Sequence, residues 1–494
     1  MRLFDLSDTT ADAVRSAGHF LSDLMTPTIR LGVTGFARSG KTVFITALVR
    51  NLIAGGRLPF FAAMAQGRIR RAYLEPQPND EIPRFAYEEH LRALAQDPPL
   101  WPVSTRRISQ LRVSLEYVSA SPVRRLLGTG RLHLDIVDYP GEWLIDLALI
   151  DLSFAAWSRQ AMAQAMTKAK TAEPDKAANA WLAYTATLAP EMPADEEVAQ
   201  RGAQLYSAYL KEARAADPRR IALGPGRFLW PGDLAGSPLL TFFPLPSEAE
   251  HGHRRGTLGA MLGRRFESYK TLVVKPFFHD HFARLDRQIV LIDALAAVNG
   301  GANAVQDLAQ ALDGILKCFR PGQSTWLSGV LGARRIDRVL FAATKADHLH
   351  HTNHDRLEAL LRLLVDQAIA RTCTAGAQVK VLALAALRAT REAEARSGQG
   401  RLPCIVGVPL PGERLGARVF DGRSETALFP GDLPENPQAT AEPGSVRLTN
   451  IDPVSFLSFR PPRLALADTS AEAVAWPHIR LDRAIDFLVG DQLA

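Results

Sequence analysis

Long apolar runs are missing from this chain of 494 residues. No stretch approaches the roughly 18–20 apolar residues of a spanning helix, so none is expected. Cysteine is scarce: Cys318, Cys373 and Cys404 lie far apart, with no C-x-x-C spacing. That fits a reducing cytosol and excludes a zinc knuckle of paired cysteines. The first residues, MRLFDLSDTTADAV, carry acids early and lack an apolar core, so no secretory signal is expected and a cytoplasmic location is. Aromatic residues amount to 7% and form no basic, aromatic-rich module, which argues against nucleic-acid binding. Charge of either sign is not in large excess. The net value of +6 permits peripheral contact with an anionic membrane but does not demand it.

What remains is an ordinary globular composition, 47% hydrophobic and 22% charged, in a chain too long for one compact core. Near-continuous Val/Ile/Leu runs recur at RQIVLIDAL (287–295), IDRVLFAATKAD (336–347) and QVKVLALAAL (378–387). Such runs suit strands covered on both faces, as in a mainly parallel sheet. SQLRVSLEY (109–117) and RLHLDIVDYPGEW (131–143) read as further strands, and helical patterns cover 302–319 and 353–370. This alternation predicts an α/β doubly wound fold of the P-loop NTPase (Ras-like) type. The rhythm breaks over 151–286, where Ala-rich helical segments imply a mainly helical insertion. The expected organisation is a helix at 1–27, core halves at 28–150 and 287–395 around the insertion, and a small α+β module at 396–494.

Three motifs carry the chemistry. Residues 35–42, GFARSGKT, lie between an apolar run and a helical one and match G-x-x-x-x-G-K-[ST]. Backbone N–H groups at such a helix start form an anion concavity for a β-phosphate. Gly35 and Gly40 permit its geometry, Lys41 supplies charge to the β- and γ-phosphates, Thr42 suits Mg²⁺, and Arg38 and Ser39 lie within the loop. DYPGE places Asp138 and Gly141 in a D-x-x-G arrangement, the aspartate for Mg²⁺ and the glycine amide for a γ-phosphate. Asp135 is a rival for the metal role, deeper in its strand. TKAD (344–347) ends an apolar strand and resembles the guanine-reading [NT]KxD pattern. There Asp347 would accept from guanine N1–H and N2–H₂, donors adenine does not offer in that arrangement. The Lys345 stem would lie over the base, and Thr344 stands where asparagine is commoner.

Softer candidates surround these. WPVSTRRIS (101–109) offers Thr105, with Ser104 as alternate, to sense a γ-phosphate and ligate Mg²⁺, and Arg106 and Arg107 as transition-state charges. Ala385 and Ala386 follow the last core strand and would give a backbone amide to guanine O6. Glu142 occupies the place of a water-orienting glutamine, which predicts slow intrinsic hydrolysis or hydrolysis that needs a partner. HLHHTNHD (348–355) sets His350, His351 and His354 at helical spacing for a metal, against a plain helix start.

With these residues the chain resembles the YcjX-like family of bacterial P-loop GTPases. The resemblance rests on GFARSGKTVFITALVRNL, WPVST, LDIVDYPGEWLIDL, FFHDHFARLDRQIVLIDAL, ATKADH and PHIRLDRAIDFLVGDQL, which span almost the whole chain. It implies a Ras-like core with added helical and C-terminal parts, GTP/GDP binding and a stress-related role. The composite expectation is a Mg²⁺-dependent GTP-binding switch acting on a protein partner through 151–286. An ATP-using enzyme and a nucleotide-binding module without turnover are the alternatives.

Overall fold

The computed structural model describes residues 26–103, 107–126, 128–169, 176–216, 224–246, 253–280, 284–316, 336–374, 376–397, 400–440, 456–464 and 475–494. Nearly all of the helix expected at 1–27 lies outside them, as do Ser104, Thr105 and Arg106. The main strands are β1 (Thr28–Gly35), β2 (Ile69–Leu74), β3 (Ser109–Tyr117), β4 (Gly130–Asp138), β5 (Arg287–Ile292), β6 (Arg338–Ala343) and β7 (Gln378–Ala383). They form one seven-stranded sheet in the order β2–β3–β4–β1–β5–β6–β7. β4, β1, β5, β6 and β7 run parallel, and β3 is antiparallel to both β4 and β2. This is the α/β doubly wound sheet of a P-loop NTPase.

Burial on both faces explains the continuous apolar runs. Ile289, Leu291, Leu340 and Ala342 belong to one core layer, whereas Val290, Ile292, Val339 and Phe341 belong to the other. Successive side chains point to opposite faces, so both sets must be apolar when both faces are covered. The first layer holds α1 (Lys41–Ile53), through Phe44, Ile45, Leu48 and Leu52.

Between β4 and β5 the chain leaves the sheet for α2 (Phe154–Ala169), α3 (Lys176–Ala186), α4 (Glu196–Ala216) and α5 (Leu258–Tyr269). A dense cluster of aromatic residues lies here. Trp157 stacks on Phe266 with centroids 5.0 Å apart, and Trp181 stacks on Tyr209 at 5.4 Å. Small residues such as Ala165, Ala178, Ala199 and Ala203 let these helices approach, and the rings fill the space between. After β5, α6 (Ala302–Leu316) and α7 (His354–Leu364) contribute to this same second layer.

Beyond β7, β8 (Arg391–Ser397) and β9 (Gly400–Gly407) pair antiparallel and, with Thr426–Leu428, make a separate three-stranded sheet. The last helix, α8 (Leu481–Val489), does not stay with it. Leu481, Ile485 and Leu488 pack in the first core layer, and Arg287 on β5 reaches Leu488 O at 3.1 Å and Asp491 Oδ2 at 2.8 Å. The C-terminal stretch is therefore divided between a small sheet that begins at Arg391 and a helix returned to the main core.

A candidate nucleotide site

The site lies at the C-terminal ends of the parallel strands, where the order changes direction around β1, the usual crevice of such sheets. Residues 35–40 bridge β1 and α1. A Cβ on Gly35, at φ 151°, would overlap the Leu291 carbonyl oxygen, and Arg38 and Gly40 have positive φ of 64° and 87°. Gly40 caps α1 without any side-chain hydrogen bond, and the first turn carries no acid. Its N–H groups and the positive end of the helix are thereby left for an anion. Lys41 is buried and donates to Gly35 O at 2.9 Å and Phe36 O at 3.2 Å. Burial lowers its pKa, Asp138 and Glu142 pull it back up, and Arg214 pushes it down. Ser39 Oγ is buried with no hydrogen-bond partner among the described residues, and Arg38 is exposed. A bound phosphate would satisfy these groups, so the loop fits one.

β4 delivers Asp138 beside this loop. The rival Asp135 is engaged by Arg112, across the ladder on β3, with Nε at 2.6 Å and Nη2 at 2.8 Å. That bidentate pair makes Asp135 a structural acid. Asp138 lies close enough to Lys41 to act on its charge, and Thr42 follows Lys41 at the start of α1; a carboxylate and a hydroxyl there are oxygen donors of the kind Mg²⁺ takes. Gly141 then packs directly on the phosphate loop: a Cβ there would overlap Gly35 O and lie 2.8 Å from Phe36 Cα. Only glycine permits that approach.

The 141–149 segment is held from its other side by the insertion. Arg214 Nη2, in the last turn of α4, lies 3.7 Å from Glu142 Oε1, and neither side chain is much exposed. Gly226 N–H donates to Asp146 Oδ1 at 2.6 Å, and the Tyr269 hydroxyl donates to Asp146 Oδ2 at 2.6 Å. A Cβ on Gly226 would overlap Glu142 O. The Arg227 guanidinium stacks on Trp143, 3.3 Å from the ring centre. Burial pushes the Asp146 carboxyl up to about 6, against the pull of Tyr269, Gly226 and Arg227. A cleft of about 810 Å³, lined by Ile145, Leu149, Trp157, Gln160, Gln310 and Gln367, separates part of this segment from its neighbours.

The third motif follows β6. Thr344 N–H and Oγ1 both donate to Ile292 O, at 2.9 and 3.3 Å. Lys345, at φ 60°, pairs with Asp293, which also caps the helix Ala294–Asn299 by accepting from Ala296 N–H at 3.1 Å. Asp347 is buried, and its Oδ2 accepts from Ala389 N–H at 2.7 Å. Ala385 exchanges both backbone hydrogen bonds with Ile479, at 3.1 and 2.8 Å. Its amide is committed to the chain, which leaves the half-buried Ala386 for a base contact. His354 turns Nε2 to Ala346 O at 2.9 Å, while His350 and His351 sit beside Glu392, so the three histidines do not converge. Arg107 is exposed.

A family model described as YcjX-like family, DUF463, matches residues 29–493. The chain belongs to the YcjX-like family. A relative from Escherichia coli (strain K12), named Ras-like GTPase YcjX, is 38% identical over 475 residues, covering 94% of this chain and 96% of its own. One of the same name from Shewanella oneidensis is 34% identical over 489 residues, covering 94% of each.

Within this family member, four site-adjacent residues carry no motif: Asp146, Arg214, Arg227 and Asp293. Buried acids in apolar surroundings, WLIDL and VLIDAL, were the available signal for two of them. Nothing local marks the arginines.

Proposed function

We propose that the chain is a Mg²⁺-dependent GTP-binding switch with slow GTP hydrolysis, read out through the helical insertion. The supporting observation is the contact series Gly35–Gly141–Glu142–Arg214: phosphate loop, D-x-x-G segment and insertion touch in turn. The name Ras-like GTPase borne by both relatives supports guanine nucleotide as ligand. Lys41 would hold the β- and γ-phosphates, and Gly141 N–H the γ-phosphate. Thr42 and Asp138, with Thr105, would hold the metal; when bound, Mg²⁺ neutralises charge growing on the phosphate oxygens. Asp347 would accept from the guanine edge, with the Lys345 stem over the ring and Ala386 N–H at O6. A γ-phosphate differs from none in what Gly141 and Lys41 can bond, and only such differential contact can shift the insertion. We place the protein in the cytoplasm, with any membrane contact peripheral; no helix among the described residues is long and apolar enough to cross a membrane.

Glu142 favours a second reading, nucleotide binding without appreciable turnover, because a carboxylate stands where a water-orienting amide would serve. Protease cleavage within 151–286, compared between GDP-loaded and GTP-analogue-loaded protein, tests the switch. Different patterns are expected; identical ones contradict it.

A further inference from the structure

We infer that Arg214, supplied by the insertion, is the guanidinium that stabilises the transferring phosphoryl group; this rests on the GTPase reading above. Phosphoryl transfer spreads charge over the equatorial oxygens of the γ-phosphate, and a fixed cation there is among the largest catalytic contributions available. Exposed Arg38 and Arg107 are poorly suited to be fixed. Arg214 differs from both. It lies in the final turn of a long helix, where a cation also complements the helix dipole, and its side chain is only 16% exposed.

Its position relative to the phosphate loop follows from two contacts. Gly141 packs against Gly35 and Phe36 with no room for a Cβ, and the next residue, Glu142, carries the carboxylate that Arg214 faces at 3.7 Å. The guanidinium is therefore one residue removed from the backbone that meets a γ-phosphate. Glu142 has a matching part. Its carboxylate keeps the guanidinium near the loop, and a triphosphate presents a stronger, bidentate anionic partner for the same fork.

In the step itself, the water oxygen forms a bond to the γ-phosphorus as the bond to the β–γ bridging oxygen breaks. GDP leaves with that electron pair, and the water proton ends on the released phosphate. Arg214 exchanges no proton; it binds oxygens whose charge rises in the transition state. The insertion would then control turnover as well as report it, because moving α4 withdraws the charge.

The test uses the full-length chain with Arg214→Ala and Arg214→Lys, measuring fluorescent-GDP affinity, single-turnover phosphate release from GTP, and slowing of GDP release by aluminium fluoride. GDP affinity should stay within about threefold of wild type, while hydrolysis falls roughly 10³-fold in both variants. Aluminium fluoride should no longer trap GDP in either, and added guanidinium ion should partly restore the alanine variant. Should the alanine variant unfold, the lysine variant, which keeps charge and stem, decides. Hydrolysis within about tenfold of wild type, or trapping that survives, overturns the inference. A wild-type chain that binds GDP but releases no phosphate overturns the GTPase reading itself, a separately recognisable failure.

Discussion

Asp146→Asn isolates one charge in the contact between the 141–149 segment and the insertion. Asparagine keeps an acceptor for Gly226 N–H and offers an N–H to the Tyr269 hydroxyl oxygen, so the first of the two bonds of 2.6 Å is kept and the second is replaced by one of reversed direction. The charge is lost. In the folded chain burial raises this carboxyl from 3.8 to about 6. The folded state thus holds the proton more tightly than the unfolded state. The stabilisation it provides is full below the unfolded pKa and disappears as pH rises through the folded one. At about 1.4 kcal/mol per pH unit, the wild type loses about 3 kcal/mol that the amide variant does not. Urea unfolding, followed by tryptophan fluorescence from about pH 4 to about pH 8, reads the difference between the two proteins while other titrations cancel. The stability of Asp146→Asn relative to wild type should rise by about 2.4 kcal/mol across that range, because the unfolded carboxyl is already partly ionised at about pH 4. A flat difference, or one that falls with pH, would refute the reasoning and mean that Arg227 and the hydrogen bonds outweigh desolvation.

Three further outcomes follow from the same contacts. Gly226→Ala forces a methyl group into Glu142 O, so the insertion should part from the 141–149 segment, and cleavage within 151–286 should cease to depend on nucleotide. Arg112→Ala leaves Asp135 buried without its bidentate partner and should destabilise the fold by about 3–5 kcal/mol in urea titrations, without altering nucleotide selectivity. Asp347→Asn should lower the preference for GDP over ATP roughly 10- to 100-fold in competition binding, since it replaces an anionic acceptor of guanine donors with an amide.

How much the sequence disclosed depended on whether the signal was local. The phosphate loop, the strand ending at Asp138 and TKAD each occupy a few residues with their own strand context, and the two-sided apolar runs mark β5, β6 and β7. β2 was not read, because IRRAYL is charged and lies at an edge where only one neighbour pairs. The start of the β8–β9 hairpin at Arg391 was blurred by the polar alternation REAEARS. Contacts between distant segments left no trace. Arg214 meets Glu142, and Gly226 meets Asp146, because the short Gly226–Leu229 helix packs both on α4 and on the 141–149 segment. The commitment of the Ala385 amide to Ile479 likewise depends on the last helix returning to the central sheet. The helix expected to open near Asn353 does so, with Asn353 at its N-cap position, so His350 and His351 precede the helix and do not share a helical face with His354.

Nucleotide selectivity is the central claim, and it is measured most directly by titrating the protein, with Mg²⁺, against fluorescent GDP and fluorescent ATP beside a Lys41→Ala control. Selective binding of GDP is expected, and the control should lose it. Equal or preferential binding of ATP would contradict it, leaving Asp347 as a buried cap on Ala389 rather than a reader of guanine.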